Sequence, residues 1–197
     1  MTEAIITCVS SAGRRLLVKV VDIVVRIRAK DPPSGVQTRI VAVDGPGGAG
    51  KTTLAERLAR ELDAEIVHTD DFASWDNPID WWPRLRAEAL KPLSRGEPAR
   101  FRCTNWEGGP ERTREVQPAE FVILEGVSAS REAFRPFLTY SIWVETPREV
   151  RLARGLERDG QGSRAQWEEW MAAEDDYVER ERPRERADEI VSGWEPQ

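Results

Sequence analysis

An α/β fold, with a mostly parallel sheet covered by helices on both faces, is what this sequence predicts. Three observations carry it. From residue 38 onward, short apolar and β-branched runs alternate with stretches whose apolar residues recur at helical spacing. One such run, "RIVAVD", leads straight into "GPGGAGKTT" at residues 45–53, and a helical pattern follows at once. The run "FVILE" at 121–125 is as uniformly apolar as a strand buried on both faces must be.

The elements follow in order. Residues 1–36 read as an N-terminal extension. Within it, "RRLLVKVVDIVVRIRA" puts Leu16, Leu17, Val20, Val21, Val24 and Ile27 on one helical face. Its β-branched content would also suit a strand, and the reading taken is an amphipathic helix packed on the core. "KDPPSG" ends it, and residues 37–197 form the main domain. "TRIVAVDG" is a buried strand. "KTTLAERLAREL" is a helix, with Leu54, Ala55, Leu58, Ala59 and Leu62 on one face. "AEIVHTDDF" is a second strand running into a loop. "FVILEG", "YSIWVET" and "ADEIVSG" are three more strands, and "SREAFRPFL" a short helix between the first two. "PREVRLARGLERDG" opens with proline in its first turn and closes on glycine, good punctuation for a helix. "SRAQWEEWMAAEDDYVERER" is a longer helix. Residues 72–118 break the alternation. They hold Trp75, Trp81, Trp82 and Trp106 and read as an insertion over the C-terminal edge of the sheet, where open α/β sheets bind ligands.

Composition bounds the function. A chain of 197 residues suits one domain with a sizeable core. Its 40% hydrophobic and 32% charged residues read as soluble and globular. A net charge of −6 argues against a nucleic-acid partner. Cys8 and Cys103 stand far apart, in no metal-ligand spacing, and fit a reducing compartment better than a disulfide scaffold. No stretch is apolar enough to span a bilayer, and Arg14, Arg15 and Lys19 interrupt any export signal, so a cytoplasmic protein without a membrane partner is expected. A single histidine, His68, leaves little room for histidine catalysis and reads as strand-end packing.

The glycine-rich stretch fits G-x-x-x-x-G-K-[ST] from Gly45 to Thr52, between a strand and a helix as that motif requires. Glycines let successive backbone N–H groups turn inward on phosphate oxygens, and the helix adds its positive end. Gly45, Gly47, Gly48, Ala49, Gly50, Lys51, Thr52 and Thr53 are therefore the expected ATP-binding residues. Lys51 can reach the β- and γ-phosphates, and the Thr52 hydroxyl can ligate Mg²⁺. No guanine-reading N-K-x-D follows "YSIWVET", which discounts a GTPase.

Four stretches, in order, resemble the uridine kinase-like branch of P-loop small-molecule kinases: "VAVDGPGGAGKTTLA", "HTDDF", "FVILEG" and "RLARGLERD". A "DW" and a following "PL..G" also recur in that branch. The likeness covers about residues 38–193 and implies a P-loop NTPase fold. It further implies that Asp70 is the catalytic base and a metal ligand, in preference to Asp71, because side chains alternate along an extended chain. Glu125, at the end of its strand, is suited to a Mg²⁺-bound water. Arg151, Arg154 and Arg158 share one helix face and resemble the family's lid, with Arg151 and Arg154 expected to close over the phosphates and Arg154 to assist catalysis. The insertion is expected to hold a small hydroxyl-bearing acceptor, a nucleoside among the candidates, through Trp75, Trp82, Arg102 and Trp106, with Asn105 and Glu107 nearby. "FRCTNWEGG" stands where true uridine kinases carry a tyrosine- and histidine-containing segment. The expected activity is ATP- and Mg²⁺-dependent phosphoryl transfer to an alcohol. The alternatives are a P-loop ATPase and a nucleotide-binding regulator without an acceptor.

Overall fold

The structure, a computed structural model, describes residues 5–9, 15–74, 77, 79–106, 109–110 and 112–194. Seven strands form one sheet: β1 (Ile5–Val9), β2 (Arg15–Lys19), β3 (Arg39–Asp44), β4 (Glu65–His68), β7 (Phe121–Glu125), β8 (Leu138–Glu145) and β9 (Glu189–Ser192). Two more, β5 (Ala99–Cys103) and β6 (Arg112–Val116), pair antiparallel in the insertion. The helices are α1 (Val20–Ala29), α2 (Lys51–Leu62), α3 (Trp82–Leu85), α4 (Lys91–Ser94), α5 (Arg148–Asp159), α6 (Arg164–Glu181) and α7 (Pro183–Arg186). A π-helical turn, Arg86–Leu90, joins α3 to α4.

The sheet runs β2-β1-β9-β8-β3-β7-β4. From β9 to β4 every pair is parallel, while β1 joins β9 and β2 antiparallel. Strand β3 lies between β7 and β8, so the chain crosses away on both sides of it and leaves a crevice beyond its C-terminal end. This is the doubly covered α/β fold that the alternating pattern predicts. Along β3 the side chains alternate between two cores. Val41 and Val43 join Leu54 and Leu58 of α2 and the inner face of α1. Ile40 and Ala42 join Leu85, Leu90 and Leu93 of the insertion. Among the described residues no helix is long and apolar enough to cross a membrane.

The extension differs from the expected helix. Residues 15–19, including Leu16 and Leu17, form β2, and the helix starts at Val20. The reason is tertiary: β1 offers five residues of antiparallel ladder to β2, and β-branched chains accept either state. Asp22 then accepts the Lys19 N–H at 3.2 Å and fixes the start of the helix. Helix α1 buries Ile23 and Ile27 completely and leaves Val25 61% exposed. Ile23→Val should therefore cost about 0.5–1.5 kcal/mol in chemical denaturation, whereas Val25→Ala should stay within about 0.5 kcal/mol. Equal effects would mean that α1 does not pack on the core.

Two further differences are local. Strand β4 stops at His68, and Thr69–Asp71 turn in a 3-10 helix. The segment Glu132–Phe137 is also 3-10, since Pro136 cannot donate to an α-helical ladder.

Candidate functional site

The chain leaves β3 at Asp44 and enters the phosphate-type loop through residues that only glycine can fill. Gly45 has φ of +147°, and a Cβ there would lie 2.3 Å from the Val144 carbonyl oxygen of β8. Gly48 has φ of +73°, and a Cβ there would lie 2.8 Å from the Arg151 carbonyl oxygen. Helix α2 starts at Lys51, which is buried, and its Nζ donates to the Pro46 carbonyl at 2.9 Å across the loop.

The loop opens into a cavity of about 1550 Å³ that also receives Asp70, Glu125, Trp106 and Trp170. Glu125 ends β7. Thr52 Oγ1 donates to its Oε1 at 3.3 Å, and His68 Nδ1 lies 2.7 Å from its Oε2. Burial works to raise the Glu125 carboxyl, but the His68 hydrogen bond and the Lys51 charge outweigh it and hold the group below its ordinary value. His68, bound to that carboxylate, is raised against the effect of its own burial. So His68, expected only to pack, orients Glu125. Asp70 is itself exposed to the cavity; the surrounding walls partly desolvate it and raise its carboxyl, with the Lys51 charge opposing, and a raised carboxyl is the stronger base. Asp71 faces elsewhere: its Oδ2 lies 3.4 Å from Arg114 Nη1.

Among the described residues no group of three or more His, Cys, Asp or Glu gathers as a metal cluster. The oxygens of Thr52, Asp70 and Glu125 around one cavity are instead the hard, sparse donor set that Mg²⁺ uses when phosphates and waters complete its shell. The donors present fit that ion.

The three lid arginines part company. Arg154 lines the cavity, giving one hydrogen bond to the Gly48 carbonyl and one to that of Gly193, both 3.1 Å. Arg158 also lines it, paired with Asp159 and stacked over Trp167 at 5.5 Å. Arg151, expected over the phosphates, is buried instead, donating to the Thr146 carbonyl at 3.2 Å and to Glu174 at 3.3 Å. One helix face carries all three, but Arg151 is buried against Glu174 of α6 while the other two line the cavity.

The expected acceptor residues divide too. Trp106 lines the cavity, with its Nε1 donating to the Asp70 carbonyl at 3.1 Å and its ring edge-on to Trp170 at 5.9 Å. Trp82, expected to touch the acceptor, packs half-buried on the insertion core under the Arg131 guanidinium, because α3 turns it inward. Arg102 is exposed on β5, outside the cavity lining, because β5 alternates and its inward positions belong to Ala99, Phe101 and Cys103. Trp75 and Glu107 lie outside the described residues. Trp81 and Asn105 border a separate, smaller cavity of about 520 Å³.

Several participants have no motif. Asp44, fully buried, accepts from the N–H groups of Gly45, Ser128 and Ser130 and from the hydroxyls of Ser130 and Tyr177 at 2.7–2.9 Å. It ties the loop entrance to the segment after β7 and to α6. Trp167 and Trp170 of α6 were legible only as members of a long helix.

The family model for an AAA domain matches residues 41–184. The inorganic pyrophosphatase TTM2 of Arabidopsis thaliana is 28% identical over 142 residues, 66% of this chain and 21% of that protein. The bifunctional pantoate ligase/cytidylate kinase of Gloeobacter violaceus is 30% identical over 168 residues, 77% of this chain and 31% of that one. The chain thus spans between a fifth and a third of the length of these curated relatives. A structure described as a possible uridine kinase from Bacillus stearothermophilus superposes with a TM-score of 0.66 at 21% identity, covering 87% of this chain and 96% of that one.

Proposed function

The chain belongs to the AAA-domain family matched over residues 41–184, with the fold of a P-loop kinase, and on that footing we propose that it transfers the γ-phosphoryl group of ATP, with Mg²⁺, to a hydroxyl of a small molecule. One observation carries the reading: Lys51 and Thr52 share a single cavity with Asp70 and Glu125. Lys51 and the loop amides hold the donor's phosphates. Thr52, Glu125 and Asp70 would hold Mg²⁺, which would supply positive charge to offset that of the phosphates. Asp70 takes the proton of the acceptor hydroxyl as its oxygen bonds to the γ-phosphorus, and the bond to the β–γ bridging oxygen breaks to leave ADP. Arg154 and Arg158 lie on the cavity wall, in reach of the charge that spreads over the transferring group. Trp106 and Trp170 give the acceptor flat apolar faces beside Asp70.

ADP release with and without a panel of nucleosides, sugars and other alcohols tests this. A kinase needs an acceptor. Release that ignores every acceptor overturns the reading in favour of hydrolysis, the alternative that the pyrophosphatase relative suggests. A protein that releases no ADP in either arm is a nucleotide-binding regulator. Once an acceptor is found, Trp106→Ala should raise its KM about ten- to a hundredfold while the KM for ATP changes little. A fall in ATP affinity instead would assign Trp106 to the donor side.

A further inference from the structure

Helix α6 buries Trp167, Met171, Glu174 and Tyr177, three or four residues apart and so on one face. Two of the four are polar, and both act on the glycine-rich loop. Glu174 is 1% exposed; its Oε1 accepts the Gly47 N–H at 2.9 Å, and its Oε2 lies 3.3 Å from Arg151 Nη1. Tyr177, one turn on, donates its hydroxyl to Asp44 Oδ2 at 2.7 Å, directly before the loop begins. The Trp167 ring closes the same spot: a Cβ on Gly47 would lie 2.9 Å from Glu174 and 3.3 Å from Trp167.

Burying a carboxyl is costly unless its oxygens are matched, and here both are. What it gains is control of a segment that is otherwise hard to hold. Four glycines between 45 and 50 make the loop entropically expensive to order, and its inward N–H groups have few protein acceptors of their own. We propose that Glu174 is a positioning residue for the phosphate loop: a carboxyl built into the chain that holds the Gly47 amide and Arg151 together, so that the loop is formed before nucleotide arrives. Arg151 is then a brace between α5, α6 and the loop, which accounts for its absence from the cavity wall. The Tyr177–Asp44 bond is the second anchor of the same device. The consequence for donor affinity rests on the kinase reading above; the order of the free loop does not.

Hydrogen exchange of the segment 45–52, without nucleotide, reads the device directly. Glu174→Ala should speed exchange there at least about tenfold and leave β7 within about twofold, a local change that general destabilisation would not give. The same variant should bind MgATP at least about tenfold more weakly, with turnover at saturation within about threefold. Glu174→Gln keeps an oxygen for the Gly47 amide and should restore most of both properties. If Glu174→Ala does not fold, Glu174→Gln and Tyr177→Phe are read together, and each should speed loop exchange about two- to fivefold. Unchanged loop exchange overturns the proposal. So does unchanged or tighter MgATP binding by a variant whose loop has loosened, the second being the mark of an inhibitory carboxyl. Should the parent bind no MgATP, the donor reading fails and the exchange result alone decides on Glu174.

Discussion

Asp70→Asn should lower turnover by about 10²–10⁴-fold and leave ATP binding within a few-fold. Asparagine keeps the size and most of the hydrogen bonding of aspartate but cannot accept a proton at neutral pH. The neighbouring carboxylates are engaged elsewhere: Asp71 by Arg114, Glu125 by Thr52 and His68, and Asp159, also on the cavity wall, by Arg158. Asp71→Asn should cost far less, since it weakens contacts with Arg114 and Cys103, neither of which lines the cavity. Turnover and ATP affinity measured for both variants side by side decide the matter. A crippled Asp71→Asn beside a near-normal Asp70→Asn would shift the base by one residue. Normal turnover in both would end the carboxylate mechanism.

Lys51→Ala should weaken ATP binding by about 1.5–3 kcal/mol, roughly ten- to 150-fold. The lysine is buried at the loop, so its contact with a phosphate would be stronger than a surface pair. In the free protein it also ties the loop across to Pro46 and helps keep Glu125 ionised. Calorimetric titration with ATP and Mg²⁺ gives the affinity, and the thermal midpoint of the same samples shows whether the fold survived. Equal affinity in parent and variant would remove the loop from the donor site.

The loop and the strands around it were readable because their signals are local. A Gly-rich turn after β3, a helix at once and an acidic turn after β4 sit in consecutive residues, and no distant contact is needed to interpret them. Three other features were hidden by non-local partners. β2 was read as helix because Leu16 and Leu17 suit either period, and the ladder that decides lies on β1. The β5–β6 pair went unread although Ala99, Phe101 and Cys103 alternate inward, because the tryptophans and prolines around it dominate the pattern. Spacing put Arg151, Arg154 and Arg158 on one face of α5, correctly as geometry, but only the packing of α6 shows that Arg151 meets Glu174. The tryptophans make the same point: Trp106 reaches the cavity and Trp82 the insertion core, with nothing in the adjacent residues to separate them.

The antiparallel pairing of β1 with β9 sets an order on how this chain assembles. Thr7 and Cys8 bond opposite Ser192 and Val191, so nearly the whole described chain separates the two partners. During synthesis β1 and β2 are made before the other strands of this sheet and can pair with each other as a local ribbon, but a lone two-stranded ribbon is marginal in water. Their place in the sheet exists only after β9 has been made and laid beside β8. The strands of this sheet that are made earliest are thus among the last to dock, and until then their free edges are open to strands of other chains. They dock against the strand that runs into Gly193 and Trp194, the part of the cavity wall to which Arg154 is hydrogen-bonded, so the cavity is finished only in the closing step of folding.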